Sequence, residues 1–173
     1  MQKRTSVDAA RTGQDSAMTV GLSSHQLAEI QRRLKVKFRN TKLLEQAFIH
    51  RSYLNEYQRR HLKHNERLEF LGDAALEWVV TDRLYRAFPD KQEGLLTMYR
   101  SALVNTRTLM GVAQRLDIEE FILLSRGEAR DTGRARHYIL ACVCEALIGA
   151  MSLDRGIGMV ELFLDEWLFP QLY

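Results

Sequence analysis

The segment 64–80, HNERLEFLGDAALEWVV, constrains the fold more than any other stretch because it carries two helical patterns at once. Its acidic residues recur at intervals of three, four and four, so on a helix they line up along one face. These residues are Glu66, Glu69, Asp73 and Glu77. The leucines, valines and phenylalanine between them form an apolar side that has to be buried. The segment therefore predicts a helix with one face in the core and the other bordering an acidic space.

Two explanations of this acidic face remain open. Acids one turn apart repel each other by roughly a few tenths of a kcal/mol per pair, and only Arg67 lies nearby to offset them. The first explanation is an ordinary solvated face of an amphipathic helix. The second is that a bound cation neutralises the face, which fits a chain that is basic overall, with a net charge of +3.

The rest of the chain predicts a single helical domain. Its 173 residues are 46% hydrophobic and include only two prolines, which is enough apolar material for one core over 21–173. Residues 1–20 lack an apolar segment and are expected to form a disordered tail. Helical spacing and capping residues predict helices at about 24–35, 40–52, 64–88, 90–104, 106–117, 118–124, 138–153 and 158–168. Since no run alternates apolar and polar residues, the predicted fold class is all-α.

Cysteine usage and hydropathy indicate a cytoplasmic protein. Cys142 and Cys144 lie two residues apart, so on a helix they point to different sides and cannot bridge each other. No secretory signal is recognisable, and no uninterrupted apolar run reaches the roughly 18 residues needed to cross a bilayer. We therefore expect a reducing environment and no membrane association.

Glu145 is the second unusual acid. It is the only formal charge in YILACVCEALIGAMSL, a stretch that otherwise predicts a helix buried on all sides. A carboxylate buried without a partner costs roughly several kcal/mol. Glu145 is expected either to pair with a distant arginine, such as Arg100 or Arg67, or to face the acidic stripe and complete an oxygen-ligand site for Mg²⁺.

Several linked motifs resemble those of the ribonuclease III family of double-stranded-RNA endonucleases. The segment NERLEFLGDAAL is similar to the family signature, and the likeness continues through FPDKQEG, RSALVN, LLSRGEARDTG and EALIGAMSLDRG. The resemblance implies a homodimeric, all-helical nuclease domain that uses Mg²⁺, or Mn²⁺ in its place, to cut double-stranded RNA in ribosomal and messenger RNA processing. In this family a double-stranded-RNA-binding domain usually follows. The sequence stops at Tyr173, so weak and salt-sensitive RNA binding is expected.

The resemblance also assigns roles to individual acids. It implies that Glu69, Asp73 and Glu145 are metal ligands, with Asp73 and Glu145 indispensable for catalysis. Glu66 and Glu93 match acids that lie near the dimer and substrate surfaces of the family. Glu93 can also be explained as the third residue of a capping box that begins at Asp90.

Cys142 stands where the family has an aspartate ligand. A thiol is a poor ligand for Mg²⁺, whereas a thiolate favours softer metals. A water could replace the lost ligand, a different metal could be used, or the domain could only bind RNA. We favour the first explanation because three acids are retained. The competing function is a non-catalytic RNA-binding or scaffold protein with the same fold.

Other residues are candidates for macromolecular contacts. Phe70 is expected either in the dimer contact or in the core of its own chain. Clustered basic residues are expected to contact RNA phosphates, or to be ordinary solvated charges. They are Arg126, Arg130, Arg134 and Arg136 in the loop 125–137, with Arg59, Arg60 and Lys63 before the acidic helix.

Overall fold

The computed structural model describes residues 21–58 and 61–171, and the regular structure in these ranges is helical. The α-helices are α1 (Ser24–Leu34), α2 (Thr41–Ala47), α3 (Arg51–Tyr57), α4 (Glu66–Ala87), α5 (Glu93–Leu103), α6 (Thr106–Arg115), α7 (Arg126–Arg130), α8 (Arg134–Arg155) and α9 (Ile157–Trp167). The predicted all-α fold class is confirmed. The predicted tail at 1–20 lies outside the described residues, so the domain boundary at residue 21 stays a prediction.

The first two helices begin where the sequence predicts. The Ser23 side chain accepts a hydrogen bond from the Gln26 backbone N–H at 3.2 Å, and the Gln26 side chain accepts one from the Ser23 N–H at 2.9 Å. Asn40 caps α2 by accepting from the Lys42 N–H at 3.1 Å. These side chains satisfy backbone donors that have no partner inside the helix.

The prediction that the second helix continues to residue 52 was wrong. The chain turns after Ala47, and a separate helix, α3, begins at Arg51. His50 caps α3, because its Nδ1 accepts a hydrogen bond from the Ser52 N–H. Burial lowers the pKa of His50 below its usual range, which favours the neutral ring that this acceptor role requires.

The predicted start of the helix at 90–104 was also displaced. The residue before α5 is Gln92, which makes no side-chain capping bond, so the capping box of Asp90 and Glu93 was wrong. Glu93 instead accepts a hydrogen bond from the Thr97 hydroxyl at 2.8 Å. The helix predicted at 106–117 begins at Thr106 and is capped by the Asn105 side chain, which accepts from the Thr108 N–H.

The segment between α6 and α8 differs most from the prediction. The helix expected at 118–124 is only a 3₁₀ turn, Glu119–Phe121. After this turn the chain extends and Leu123 forms a parallel bridge with Ile49. The expected loop at 125–137 contains α7, which is capped by the Ser125 side chain, and the first turn of α8.

Helix α8 is the centre of the core, as its composition predicts. From Ile139 to Met151 nearly every residue is buried, and α4 packs along α8 more extensively than any other helix does in the described part of the chain. By length and composition alone α8 could cross a membrane, but 67% of its apolar window is buried within the fold. Such burial is typical of the core helix of a globular domain.

Candidate active site

Helix α4 begins at a buried asparagine that fixes its position. The Asn65 N–H donates to the Ile49 carbonyl at 2.9 Å, and its side-chain amide donates to the Ala47 carbonyl at 3.2 Å. Asn65 is 2% exposed, so these bonds satisfy polar groups that are shielded from water. They hold the first turn of α4, which carries Glu66 and Glu69, against the end of α2.

Two glycines let α4 and α8 approach until their backbones touch. A β-carbon built on Gly149 would lie 2.1 Å from the Leu68 carbonyl oxygen, and one on Gly72 would meet the backbone of Glu145. No larger residue fits at either position without moving a helix. Because Asp73 follows Gly72 directly, this crossing sets the acidic face of α4 beside Glu145.

Three acids gather at this crossing. Burial, followed by the charges of Asp73 and Glu69, raises the pKa of Glu145 to about 7. Asp73 is exposed, while Glu69 and Glu145 are half-buried. In residues 21–58 and 61–171, no lysine, arginine or histidine forms an ion pair with any of the three. We call Glu69, Asp73 and Glu145 the acidic cluster.

The two ends of the predicted acidic stripe are neutralised by basic residues. Glu66 Oε1 lies 3.3 Å from Arg51 Nη1, and Glu77 Oε2 lies 3.3 Å from Arg100 Nε. Arg100 is therefore paired with Glu77 and not with Glu145. The acidic stripe therefore has salt bridges at its two ends and no ion pair at its centre. The spacing of the acids in the sequence does not show which of them are paired.

Cys142 lies beside the cluster as a neutral thiol. It is 7% exposed, and burial together with the Glu69 carboxylate raises its pKa to about 12. A thiol with this pKa stays protonated at neutral pH as long as no metal ion is bound to it. Both cysteines are free, as expected.

The donor atoms of the cluster suit a hard divalent cation. Carboxylate oxygens are the protein ligands that Mg²⁺ prefers, and Glu145 sits where two neighbouring negative charges already disfavour its ionisation. However, no group of three or more His, Cys, Asp or Glu side chains in the described ranges is placed closely enough to hold an ion. The carboxylate oxygens and the negative charge of the cluster suit the ion. To bind it, the three side chains would have to move closer together.

Phe70 points away from the core of its own chain. Its side chain is 81% exposed, so the interpretation of Phe70 as an intramolecular core residue was wrong. The neighbouring Leu68 is buried. Phe70 borders a groove of about 830 Å³ between α4, the segment before it and the end of α8, which Arg67 and Leu153 also line.

The arginine-rich segment divides into paired and unpaired side chains. Arg136 is 15% exposed and donates to Glu119 at 2.6 Å, which fixes it against the 3₁₀ turn. Arg126 lies 3.6 Å from Glu56. Arg130 and Arg134 are exposed, and neither forms an ion pair with a described residue. Lys63 is exposed as well, whereas Arg59 and Arg60 lie outside the described residues.

The sequence analysis missed one residue at the site. Tyr138 is on α8 one turn before Cys142, and the neighbouring Cys142 thiol raises the pKa of Tyr138 to about 12. The spacing of four residues between Tyr138 and Cys142, within the helix predicted at 138–153, was the available signal.

Comparison with known proteins relates this fold to the nuclease domain of ribonuclease III. A family model described as Ribonuclease-III-like matches residues 40–172. Ribonuclease 3 of Geobacillus thermodenitrificans is 46% identical over 144 residues, which are 83% of this chain and 58% of that protein. Ribonuclease 3 of Listeria monocytogenes is 43% identical over 148 residues, which are 86% of this chain and 65% of that protein. The nuclease domain of ribonuclease III from Campylobacter jejuni superimposes with a TM-score of 0.75 at 33% identity, covering 83% of this chain and 96% of that domain.

The chain belongs to the ribonuclease III family. It spans about three fifths of the length of these curated relatives, and the part it matches corresponds to the nuclease domain. The family resemblance inferred from the motifs is thereby confirmed.

Proposed function

We propose that this chain is a divalent-metal-dependent endonuclease that hydrolyses phosphodiester bonds of double-stranded RNA. The observation that carries the proposal is the acidic cluster at the α4–α8 crossing, whose negative charges have no cationic side chain to balance them in the described ranges. The carboxylates of the cluster would repel the phosphates of RNA unless a bound cation lay between them. Membership of the ribonuclease III family supports the same activity.

The three acids have different surroundings, and we assign them different parts. Glu145 projects from α8, whose neighbouring residues are buried, and would be the metal ligand with the least freedom to move. Asp73 is exposed and lies where a bound phosphate could approach it. Glu69 is the member of the cluster nearest in charge interaction to the Cys142 thiol and would be a shared ligand. Mg²⁺, or Mn²⁺ in its place, would supply a Lewis acid and a bound water of lowered pKa.

The RNA backbone is proposed to lie along the arginine-rich segment 125–137, which leads into α8. A-form RNA hides its base edges in a narrow groove, so proteins contact its phosphates and 2′-hydroxyls. Arg130 and Arg134 are exposed and form no ion pair among the described residues. The Arg126 guanidinium lies 3.6 Å from Glu56, whose carboxylate also accepts a hydrogen bond from the Arg126 backbone N–H at 2.8 Å. We expect these three to contact phosphates. Arg136 is committed to Glu119 and is expected to fix the segment instead.

A homodimer is also part of the proposal. Phe70, Trp78 and Tyr85 are 81%, 62% and 72% exposed and follow one another along α4 at spacings of eight and seven. Large aromatic side chains exposed in a row are typical of a protein interface. The Campylobacter jejuni nuclease domain is described as having a region involved in dimer formation. Two chains joined here would present two acidic clusters, and Glu66 and Glu93 would lie near the dimer and substrate surfaces.

The cellular role follows from the family alone. We propose processing of ribosomal and messenger RNA in the cytoplasm, without membrane attachment.

A second function stays open because of Cys142. With a neutral thiol where the family has an aspartate, the site has three carboxylates and the protein could bind RNA without cutting it. The retention of Glu69, Asp73 and Glu145 around an unneutralised centre favours the enzyme.

Cleavage of long double-stranded RNA separates the two functions. The purified protein is incubated with the duplex in Mg²⁺, in Mn²⁺ and with a chelator, together with Asp73→Asn and the exposed control Asp90→Asn. We expect short duplex products with either metal, no products with the chelator or Asp73→Asn, and full activity in Asp90→Asn. Intact RNA with both metals, together with a retarded protein–RNA complex on a native gel, would establish the non-catalytic function.

A further inference from the structure

Helix α7, at the start of the arginine-rich segment 125–137, is held by two side chains of α3. The Ser125 backbone N–H donates to the Ser52 hydroxyl oxygen at 3.0 Å. The Arg126 backbone N–H donates to the Glu56 carboxylate at 2.8 Å. Ser52 and Glu56 are four residues apart and lie on the same side of α3. Because N–H groups at the start of a helix have no partner inside it, α3 satisfies two donors that α7 cannot satisfy itself.

Neither of these two helices is anchored in the core. None of the seven residues of α3 is buried, and the same holds for the five residues of α7. Helices this short are unstable in isolation, because fixing the first turn costs conformational entropy for a single hydrogen bond. The order of α3 and α7 therefore depends on their caps and on the contacts between them.

His50 orients the Ser52 side chain. The ring Nδ1 accepts a hydrogen bond from the Ser52 N–H at 3.3 Å, and the Ser52 hydroxyl lies 2.8 Å from the same nitrogen. With the neutral ring as acceptor, the hydroxyl donates to Nδ1, and its oxygen is left to accept from Ser125. The backbone of His50 is fixed as well, since its N–H donates to the Leu123 carbonyl at 3.1 Å. A ring in a fixed position thus controls the contact between α3 and α7.

Protonation of His50 would disrupt this arrangement. An imidazolium ring donates from both nitrogens, so the Ser52 N–H would lose its acceptor and the Ser52 hydroxyl proton would have to turn away. A positive charge at the start of α3 is also unfavourable beside the positive end of the helix dipole.

The surroundings of His50 determine the pH at which this happens. Burial is the largest cause that lowers the pKa of His50 from its ordinary value of 6.5, and the charges near the ring act in both directions. These charges belong to Glu128 on α7, Arg51 on α3, and Glu66 and Glu69 on α4. Within the described ranges the ring forms no hydrogen bond or ion pair with any of the four. Because folding lowers the pKa, the stability that the neutral ring contributes is present above about pH 6.5 and is lost as the pH falls through the lowered pKa.

We propose that His50 and Ser52 are positioning residues for the arginine-rich segment: the neutral His50 ring orients Ser52, Ser52 holds the start of α7, and protonation of His50 releases both helices. They act through Arg126 and Arg130 on α7, the proposed phosphate contacts, and do not touch the reacting atoms. The inference rests on the proposed RNA contacts for its effect on substrate binding, but not for its effect on the order of α7.

Hydrogen exchange of the full chain without RNA tests the structural half of the proposal. Amide protection in 51–57 and 125–130, corrected for the intrinsic exchange rate, is compared at about pH 7.5 and about pH 5.5. In the wild type we expect protection in both segments to fall by roughly fivefold at the lower pH, the factor that corresponds to a lost helix cap. His50→Asn supplies a cap that does not titrate and should stay protected at both pH values. His25→Asn, at an exposed histidine of α1, is the matched control and should behave like the wild type.

Two further variants separate the cap from the link between the helices. His50→Ala removes the acceptor and should leave both segments poorly protected at either pH. Ser52→Ala removes the hydroxyl that holds Ser125 but keeps the N–H that His50 accepts, so 125–130 should lose more protection than 51–57. A pH dependence that persists in His50→Asn, or normal protection of 125–130 in Ser52→Ala, would overturn the proposal.

Steady-state cleavage of a long RNA duplex tests the functional half. At about pH 5.5 we expect KM of the wild type to exceed that of His50→Asn by up to roughly fivefold, with equal KM values at about pH 7.5 and equal kcat values at both. Because the two proteins are compared at each pH, the titration of other groups cancels. The added positive charge alone would lower KM, since it attracts phosphates.

The two experiments fail in different ways. Equal KM values of the wild type and His50→Asn at both pH values would overturn the positioning role in substrate binding. The expected exchange pattern in a protein that cleaves no duplex would support the pH-dependent order of α7 and reject the nuclease function.

Discussion

A β-carbon on Gly72 would lie 1.8 Å from the main-chain oxygen of Glu145. The approach is backbone to backbone, so no side-chain rotation can make room. The residue that permits the helix crossing is thus in contact with the residue that supplies the α8 acid of the cluster. Fold and site depend on the same contact.

Gly72→Ala should destabilise the protein and separate the acids. Overpacking at a rigid contact costs about 3 kcal/mol, which thermal or urea unfolding would measure. The matched control is Gly94→Ala, because Gly94 is exposed in α5 and nothing lies within 4 Å of its added β-carbon. That variant should be neutral or slightly more stable. Equal stability of the two variants would show that the helices do not touch at Gly72.

Glu145→Gln should stabilise the metal-free protein at high pH. The pKa of Glu145 is raised to about 7 from 4.5, so its contribution to stability is fully present below about pH 4.5 and is lost as the pH rises through 7. With a chelator present at pH 8, we expect Glu145→Gln to gain roughly 1 to 2 kcal/mol over the wild type. The gain should disappear near pH 4. Thermal unfolding across this range measures it, with Asp90→Asn as the exposed control. A gain that does not depend on pH would argue against charge as its cause.

Phe70→Ser should weaken self-association without unfolding the chain. Large aromatic anchors at the centre of an interface contribute about 2 kcal/mol or more, which corresponds to roughly 30-fold in the dimer dissociation constant. Sedimentation equilibrium measures that constant. Leu162→Ser is the control, because Leu162 is also exposed but lies on α9. If both variants, or neither, shift the equilibrium, the proposed α4 interface is incorrect.

Cys142→Asp should tighten Mg²⁺ binding. The substitution adds a carboxylate beside Glu69 and restores the oxygen ligand expected in the family, so we predict roughly a tenfold lower dissociation constant by calorimetry. Cys142→Asn has the same shape without the charge and should bring no gain. Unchanged affinity in Cys142→Asp would show that position 142 does not contribute to the ion site of this protein.

The elements that form the site were predictable because their patterns are long. Segment 64–80 predicts α4 within two residues of its observed start, and a stretch with one charge among apolar residues predicts the buried part of α8. The facing of Glu145 toward Asp73 depends on the α4–α8 crossing. The glycines that permit it look unremarkable in the sequence.

The short elements could not be predicted, since tertiary contacts decide them. Helix α3 has no buried residue and depends on the His50 cap, and α7 is a single five-residue turn capped by Ser125. Two salt bridges, from Arg51 and Arg100, divide the acidic stripe into paired ends and a bare centre. Since both arginines come from other helices, no spacing within α4 identifies them.

The central claim is that acids from α4 and α8 together hold a divalent cation, and Mn²⁺ binding followed by electron paramagnetic resonance tests it most directly. The wild type and Asp90→Asn should deplete the signal of free Mn²⁺ equally. Asp73→Asn and Glu145→Gln should each bind at least roughly tenfold more weakly, since one acid from each helix is lost. Unchanged Mn²⁺ affinity in Glu145→Gln would contradict the claim.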